Sequence, residues 1–406
     1  MVGSNEVASL NILRIILTLY AAMCLGYWLR TLYGVIRIRR SIRRLSEEVC
    51  PEPPVWPSLS VVVPACNEGD KIAGAASSLL ARAYPDLQLV FVNDRSTDDT
   101  AAIIDRLAAG DARVTAVHVD ALPDGWLGKV HALQRGLAAA RGAYVLFTDA
   151  DVHYRPGVLK RAVAYMRRDR LDHLAAVPSL WPATVMTDLL IGQFIRQLFA
   201  LFVPPWRIRD PRSKAFFGVG AFNLVRREAF DATGGFGWLR MDTGDDMALG
   251  LMMKRAGGRC DVVWAGDLLG LHWYRTIGEA MRGCEKAYAS GANCRLWRMV
   301  LAAGLLMGLE LSPVITPLLV LWPSVHPAGL LGVANLVVFA LASVLLARWA
   351  RASVVRSLLT PLITPVTAAI TLRAGVVGFL RGGIAWRGTL YPAAALRAGR
   401  RVKPPL

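Results

Sequence analysis

Tyr144-Val-Leu-Phe-Thr-Asp-Ala-Asp151 is the stretch on which the reading of the fold turns. Four apolar residues, too few for a helix, run directly into a threonine and two aspartates spaced one residue apart. A short apolar run broken by polar residues reads as a buried strand ending at a sheet edge. Working outward, Leu59 to Val63, Leu87 to Val92 and Val114 to Val119 repeat the pattern. Helical stretches separate them: Gly69 to Ala81, Asp98 to Ala109 and Val130 to Ala140. Strands alternating with helices predict an α/β domain with a parallel sheet. Three polar clusters follow three of the strands: Pro64-Ala-Cys-Asn-Glu68, Asn93-Asp94-Arg95-Ser96 and Thr148-Asp149-Ala150-Asp151. Ligands of such sheets bind at the carboxyl ends of the strands, so the clusters predict one shared site.

If the extended backbone continues past Phe147, Asp149 and Asp151 point the same way. Two carboxylates together suit a hard cation such as Mg²⁺ or Mn²⁺, shared with a substrate diphosphate. The competing reading is a chance D-x-D in a loop. Asp94, at a neighbouring strand end, is placed to hold a ribose or base edge. Gly125-Trp-Leu-Gly-Lys129 sets a cation and flexible backbone just before a helix start, which suits phosphate; an ordinary capped helix is the alternative. Gly244-Asp245-Asp246 precedes a helical run, Met247 to Arg255. Acids there complement the helix dipole, or they offer a general base for deprotonating an attacking hydroxyl. There is no G-x-x-x-x-G-K-[ST], and no G-x-G-x-x-G after a strand.

The chain has 406 residues, 54% of them hydrophobic, and the apolar excess lies at its two ends. The net charge is +17. Arg37, Arg39, Arg40, Arg43 and Arg44 follow directly after an apolar run, and Arg397, Arg400, Arg401 and Lys403 cluster in the tail. Such clusters read as juxtamembrane and cytoplasmic. No nucleic-acid-binding motif accompanies the charge, so a membrane is expected as partner and nucleic acid is not. The six cysteines form no C-x-x-C pair and read as reduced thiols.

The first apolar run, Leu10 to Leu29, is long enough to cross roughly 30 Å of hydrocarbon. Arginines follow it rather than precede it, which favours an uncleaved anchor over a signal peptide. Two further spans are expected at Met299 to Trp322 and Leu330 to Ala347. A last run, Leu358 to Leu380, carries Pro361, Pro365 and Arg373; a re-entrant or interfacial segment is preferred there, with a third span as the alternative. Leu189 to Val203, with Gln193, Arg196 and Gln197, reads equally as an interfacial amphipathic helix or as a buried one. The expected organisation is an anchor over 1–35, a cytoplasmic domain over 50–298, a membrane region over 299–380 and a basic cytoplasmic tail over 381–406, making a multi-pass protein of the cell membrane.

Taken in order, the motifs resemble the family-two glycosyltransferases, whose nucleotide-sugar-binding α/β domain is called GT-A. Val61-Val-Val-Pro-Ala-Cys-Asn-Glu68 is similar to the opening strand and loop, and Val92 to Thr100 to the nucleotide-contacting segment. Phe147 to Asp151 resembles the metal-binding D-x-D. Gly220 to Phe230 with Gly234-Gly-Phe236 resembles the acceptor side, and Thr243-Gly-Asp-Asp246 the base motif. The resemblance implies donor contacts from Pro64, Asn67, Glu68, Asp94, Lys129 and Asp149. It implies Asp149 and Asp151 as ligands of Mg²⁺ or Mn²⁺, and Asp246, with Asp245 beside it, as the catalytic acids. Asp245 replaces a more usual glutamate.

The Q-x-x-R-W of many membrane members is absent. Glu279 to Lys286 and Gly383-Ile-Ala-Trp-Arg-Gly-Thr-Leu-Tyr391 are instead closer to hopanoid-associated and carotenoid-type lipid glycosyltransferases. Lys286 and Arg387 are implied as cations for the leaving diphosphate. The expected activity is inverting transfer of a hexose-type sugar from a nucleotide-diphosphate donor, a UDP-sugar being the first choice, to a lipid hydroxyl of isoprenoid or glycolipid type. A processive polysaccharide synthase, a polyprenyl-phosphate sugar transferase and, last, a non-enzymatic membrane scaffold are the alternatives.

Overall fold

The computed structural model describes residues 4–81, 84–292 and 295–402; Cys294 and Lys403 lie outside them. The strands in chain order are β1 Arg43–Arg44, β2 Leu59–Ala65, β3 Leu87–Asp94, β4 Val114–Val119, β5 Tyr144–Phe147, β6 His153–Tyr154, β7 His173–Val177, β8 Ser179–Leu180, β9 Asn223–Arg226, β10 Cys260–Trp264, β11 Leu269–Leu271, β12 Gly383–Trp386 and β13 Thr389–Pro392. The main sheet runs β1-β10-β7-β9-β5-β2-β3-β4. Its neighbours are parallel except β9, which runs antiparallel to both β5 and β7. The four strands read from sequence form one half of this sheet, so the loops after β2, β3 and β5 leave from the same rim.

The two faces of this half divide by residue parity, because strand side chains alternate. Val61, Val63, Leu89 and Phe91 pack with Ile72 and Leu79 of the Gly69–Leu80 helix. Val62, Val90 and Val92 pack with Val130, Leu133 and Leu137 of the Gly128–Ala139 helix. Helices on both faces leave the strands buried throughout, which is why β2 and β3 show runs of apolar residues instead of alternation. The reversed strand β9 has consequences for the site. Its first residue, Asn223, pairs with Phe147 at the end of β5, so the chain from Gly218 to Phe222 arrives at the same rim. The extended backbone does not continue through the D-x-D: β5 stops at Phe147, and Ala150 and Asp151 lie in a turn.

Among the described residues, five helices are long and apolar enough to cross a membrane: Ala8–Ser41, Val185–Arg207, Leu296–Leu321, Pro323–Ala350 and Thr360–Leu380. Pro361 and Pro365 both fall in first turns, where no backbone N–H is required, so the helix Thr364–Leu380 runs unbroken. Arg373 in that helix reaches Glu285 at 3.2 Å. In the Val185–Gln197 helix the polar residues turn inward, as in the second of the two readings of this segment. Buried Gln193 and Arg196 meet Glu310, and Arg196 also donates to Thr360 Oγ1 at 2.7 Å and stacks on Trp28. Tyr27 donates to the same glutamate. The last segment is folded: β12 and β13 make an antiparallel hairpin, and the Ala393–Gly399 helix follows it.

Candidate active site

The acids at the rim meet through lysines. Lys129 stands in the first turn of the Gly128–Ala139 helix, directed across the end of β5. Its Nζ lies 2.6 Å from Asp149 Oδ1 and 3.4 Å from Asp245 Oδ2. Lys286 approaches Asp245 Oδ1 from the other side, at 3.5 Å. Burial disfavours the Lys129 ammonium, but Asp149 and Asp245 outweigh it and hold the group well above the ordinary lysine range. The result is a row of alternating charges, Asp149, Lys129, Asp245, Lys286, ending against the ring of Trp386, 5.3 Å from the Lys286 ammonium.

Asp245 and Asp246 open the Asp245–Arg255 helix and have opposite environments. Burial works against the Asp245 charge, yet Lys129 and Lys286 hold its carboxyl below the usual range. Burial and the neighbouring Asp245 charge push Asp246 up to about 6. Asp246 Oδ2 accepts the Gly220 N–H at 3.0 Å, and Oδ1 accepts the Met247 N–H at 2.8 Å. A cleft of about 260 Å³ is lined by Lys129, Thr148, Asp149, Asn223, Asp245 and Asp246. A second, of about 310 Å³, shares Lys129 and Asp245 and is closed by Lys286, Trp386 and Tyr391. Gly220 is a glycine because of a close approach: a Cβ there would lie 2.4 Å from Asp149 Oδ2.

Asp151 stands apart from the lysine row. Burial, then the charges of Asp149 and Glu68, raise its carboxyl to about 6. A buried carboxyl crowded by other carboxylates is a donor set short of positive charge, and hard oxygen donors of this kind fit a divalent cation. Among the described residues no group of three or more His, Cys, Asp or Glu side chains is ready to hold a metal. Asp149 and Asp151 would therefore need oxygens from a substrate to complete a coordination shell, as phosphate-bound Mg²⁺ commonly does.

The other expected donor residues lie around this centre. Asp94 is buried at the end of β3, with Arg95 donating to both its oxygens, at 2.8 and 3.2 Å. Gly128 passes so close that a Cβ would meet Asp94 Oδ2 at 2.6 Å. Pro64 lies within β2. Asn67, in a left-handed conformation, accepts the Thr97 N–H at 2.8 Å and so ties the loop after β2 to the loop after β3. Glu68 takes Arg387 from the tail hairpin, and Arg387 also donates to Cys66 O at 2.7 Å. Arg387 and Lys286 both face the Trp386 ring, at 5.9 and 5.3 Å from its centroid. Three further contributors were not among the expected site residues, although Thr148 and Tyr391 stand within motifs quoted from the sequence. Tyr391 accepts the Gly128 N–H at 3.1 Å, Thr148 donates to Ala221 O at 2.8 Å, and buried Asp242 is bonded to the turn before Asp245.

A parallel sheet with one reversed strand, an acid row at its carboxyl rim and a D-x-D after a central strand define a nucleotide-sugar-binding domain of the GT-A type. Residues 60–234, within the α/β domain, match the model described as glycosyl transferase family 2. The "Uncharacterized glycosyltransferase EpsJ" of Bacillus subtilis is 30% identical over 116 residues, 29% of this chain and 32% of that one. The Escherichia coli "UDP-Glc:alpha-D-GlcNAc-diphosphoundecaprenol beta-1,3-glucosyltransferase WfaP" is 25% identical over 113 residues, 28% of this chain and 43% of that one. The chain thus spans about a third of the length of the curated relatives it matches first. A mannosyltransferase of Pyrobaculum calidifontis, solved with GDP-Man and Mn²⁺, has the same fold. Its TM-score is 0.51 at 21% identity, over 90% of this chain and 99% of that one.

Proposed function

We propose that this protein is a membrane-embedded inverting glycosyltransferase that moves a hexose-type sugar from a nucleotide-diphosphate sugar to a hydroxyl of a lipid, with Asp246 as the base. The observation that carries the reading is the single cleft in which Asp149, Lys129, Asp245 and Asp246 meet. Asp245 and Asp246 are adjacent acids pushed in opposite directions, which is how two carboxyls acquire separate roles. Asp245, between two lysines, keeps its charge and holds those cations in place. Asp246, with its affinity for a proton raised, takes the proton of the attacking hydroxyl.

Asp149 and Asp151 would hold a divalent cation, which when bound supplies Lewis-acid neutralisation of the leaving diphosphate. Lys129 and Lys286 stand where they can take over charge as that group departs, and Arg387 can do so from the Glu68 side. Asp94 would receive the nucleoside, exchanging its Arg95 contact for the donor. A UDP-sugar is the first donor to try; the GDP-Man and UDP-Glc in the relatives' names make GDP- and UDP-hexoses the panel.

The lipid acceptor is supported by the five membrane-length helices and by the position of the site. The Ile277–Gly291 helix carries Lys286 at the acid row, and its Glu285 pairs with Arg373 and Arg381 at the Thr364–Leu380 helix. The catalytic groups and a membrane-length helix are thus one residue apart on a shared element. The proposed organisation is an anchor in 1–35, a catalytic domain in 50–298 facing the cytoplasm, membrane helices in 299–380 and a basic segment from 381 onward.

The deciding experiment is Asp246→Asn in the full chain. Loss of a general base costs about 10²–10⁴-fold in rate. Transfer to lipid, followed by mass spectrometry, should fall by that much, while calorimetry shows unchanged nucleotide binding. Full transfer by Asp246→Asn would reject the base and favour a phosphate acceptor, which needs no deprotonation.

A further inference from the structure

The Asp242 carboxylate is buried, 2% exposed, three residues before the first of the paired acids. Three backbone N–H groups converge on it. Gly244 donates to Oδ1 at 2.9 Å. Arg401 and Val402 donate to Oδ2 at 2.6 and 3.0 Å. The first donor is the residue that opens the Asp245–Arg255 helix, and Gly244 O in turn accepts the Ala248 N–H of its first turn at 2.8 Å. The other two donors are more than 150 residues away in sequence, in the C-terminal segment.

That segment is closely seated. Gly399 lies against Met241, so that a Cβ there would be 2.2 Å from Met241 Cβ. Leu396 is buried in the same core, and Arg401 stacks on the Trp238 ring while its Nε donates to Trp238 O at 2.9 Å. A buried carboxylate needs donors, because its unpaired charge is expensive to keep out of water. Here one oxygen draws them from the tail and the other from the catalytic turn. The orientation of one is therefore linked to the presence of the other.

We propose that the C-terminal segment 393–402 braces the catalytic acids through Asp242, a positioning residue whose carboxylate transmits the hold of the tail to Gly244 and so to the turn carrying Asp245 and Asp246. This inference rests on Asp246 being the base. A displacement of about 1 Å in a reacting group costs about 10²-fold in rate. The brace therefore acts on the chemical step and leaves the nucleotide, bound by other loops, unaffected.

The test uses the full chain with Asp242→Asn, with Val402→Pro, which deletes one tail N–H, and with both together. Turnover is measured with the best nucleotide sugar of a panel of UDP- and GDP-hexoses, and binding of the matching nucleoside diphosphate with Mn²⁺ by calorimetry. Each single variant should lower kcat by about 10- to 10²-fold with nucleotide Kd unchanged. The double variant should fall no further than Asp242→Asn alone, because both changes break one linkage. Wild-type kcat in both singles, losses that multiply in the double, or nucleotide Kd rising in step with the loss of kcat would each overturn the brace. If Asp242→Asn does not fold, Val402→Pro decides by the same split between kcat and Kd. An inactive Asp246→Asn beside a fully active Asp242→Asn would sink the brace alone and leave the base in place; an active Asp246→Asn would remove the base first.

Discussion

Asp245 and Asp246 are neighbours in sequence, yet two lysines face one of them and backbone amides the other. That difference makes a pH prediction. Asp246 is held up to about 6 by burial and by the Asp245 charge, and the base must be unprotonated to work. The transfer rate should therefore be constant above pH 7 and fall as pH drops through about 6, tenfold per pH unit well below it. A kcat–pH profile flat down to pH 5 would contradict the assignment. The placement of the individual acids was legible in the sequence because each stands at the end of an apolar run or the start of a helical one. Their partners were not. Lys129 reads as a phosphate ligand beside a helix start, and only the folded chain sets its ammonium between Asp149 and Asp245. Tyr391, Thr148 and Asp242 act through backbone groups, which look alike in every sequence.

At the scale of elements, strands β2 to β5 were predicted closely because both faces of a parallel strand are apolar and bounded by turn residues. The strands β7, β9 and β10 were not read, and β9 is the one that brings Gly220 to Asp149. Nothing local marks a strand as reversed; pairing partners decide it. The membrane-length helices show the same division. Proline at a first turn and proline in a helix interior have the same letter, and only the fold shows that Pro361 and Pro365 leave the Thr364–Leu380 helix uninterrupted. The Val185–Gln197 helix packs its polar side inward around Glu310. That glutamate is 1% exposed and collects Arg196, Gln193 and Tyr27 from two other helices. Glu310→Ala would strand the Arg196 guanidinium in an apolar surrounding, and breaking a buried pair costs about 3–5 kcal/mol. Thermal unfolding of the detergent-solubilised protein should reveal that loss, while Glu310→Gln, which keeps an acceptor, should lose less. Equal melting of all three forms would show that the network contributes little.

For the whole molecule, the proposed orientation puts the basic residues that follow the first helix, and those of the tail, on the cytoplasmic side with the α/β domain. The chain should remain in the membrane pellet through alkaline carbonate. Protease added to intact cells should leave the 50–298 region whole, and protease added to inverted vesicles should cut it. Cleavage in intact cells would reverse the proposed orientation. The tail itself is the part of the molecule where sequence and structure diverge most. Arg397, Arg400, Arg401 and Lys403 read as a charge cluster and Arg387 as a diphosphate cation, whereas in the fold Arg387 engages Glu68, Tyr391 engages Gly128 and the 401–402 backbone engages Asp242.

The sequence by itself determined the α/β class, the rim on which the acids gather and the apolar lengths that suit a bilayer. These depend on local periodicity and on residue chemistry at strand ends, which a linear string preserves. Tertiary structure alone decided which lysine faces which aspartate, that β9 reverses and that the tail closes on the turn before Asp245. Those are contacts between residues tens to hundreds of positions apart, made largely through backbone N–H and C=O groups, and no spacing within a segment encodes them.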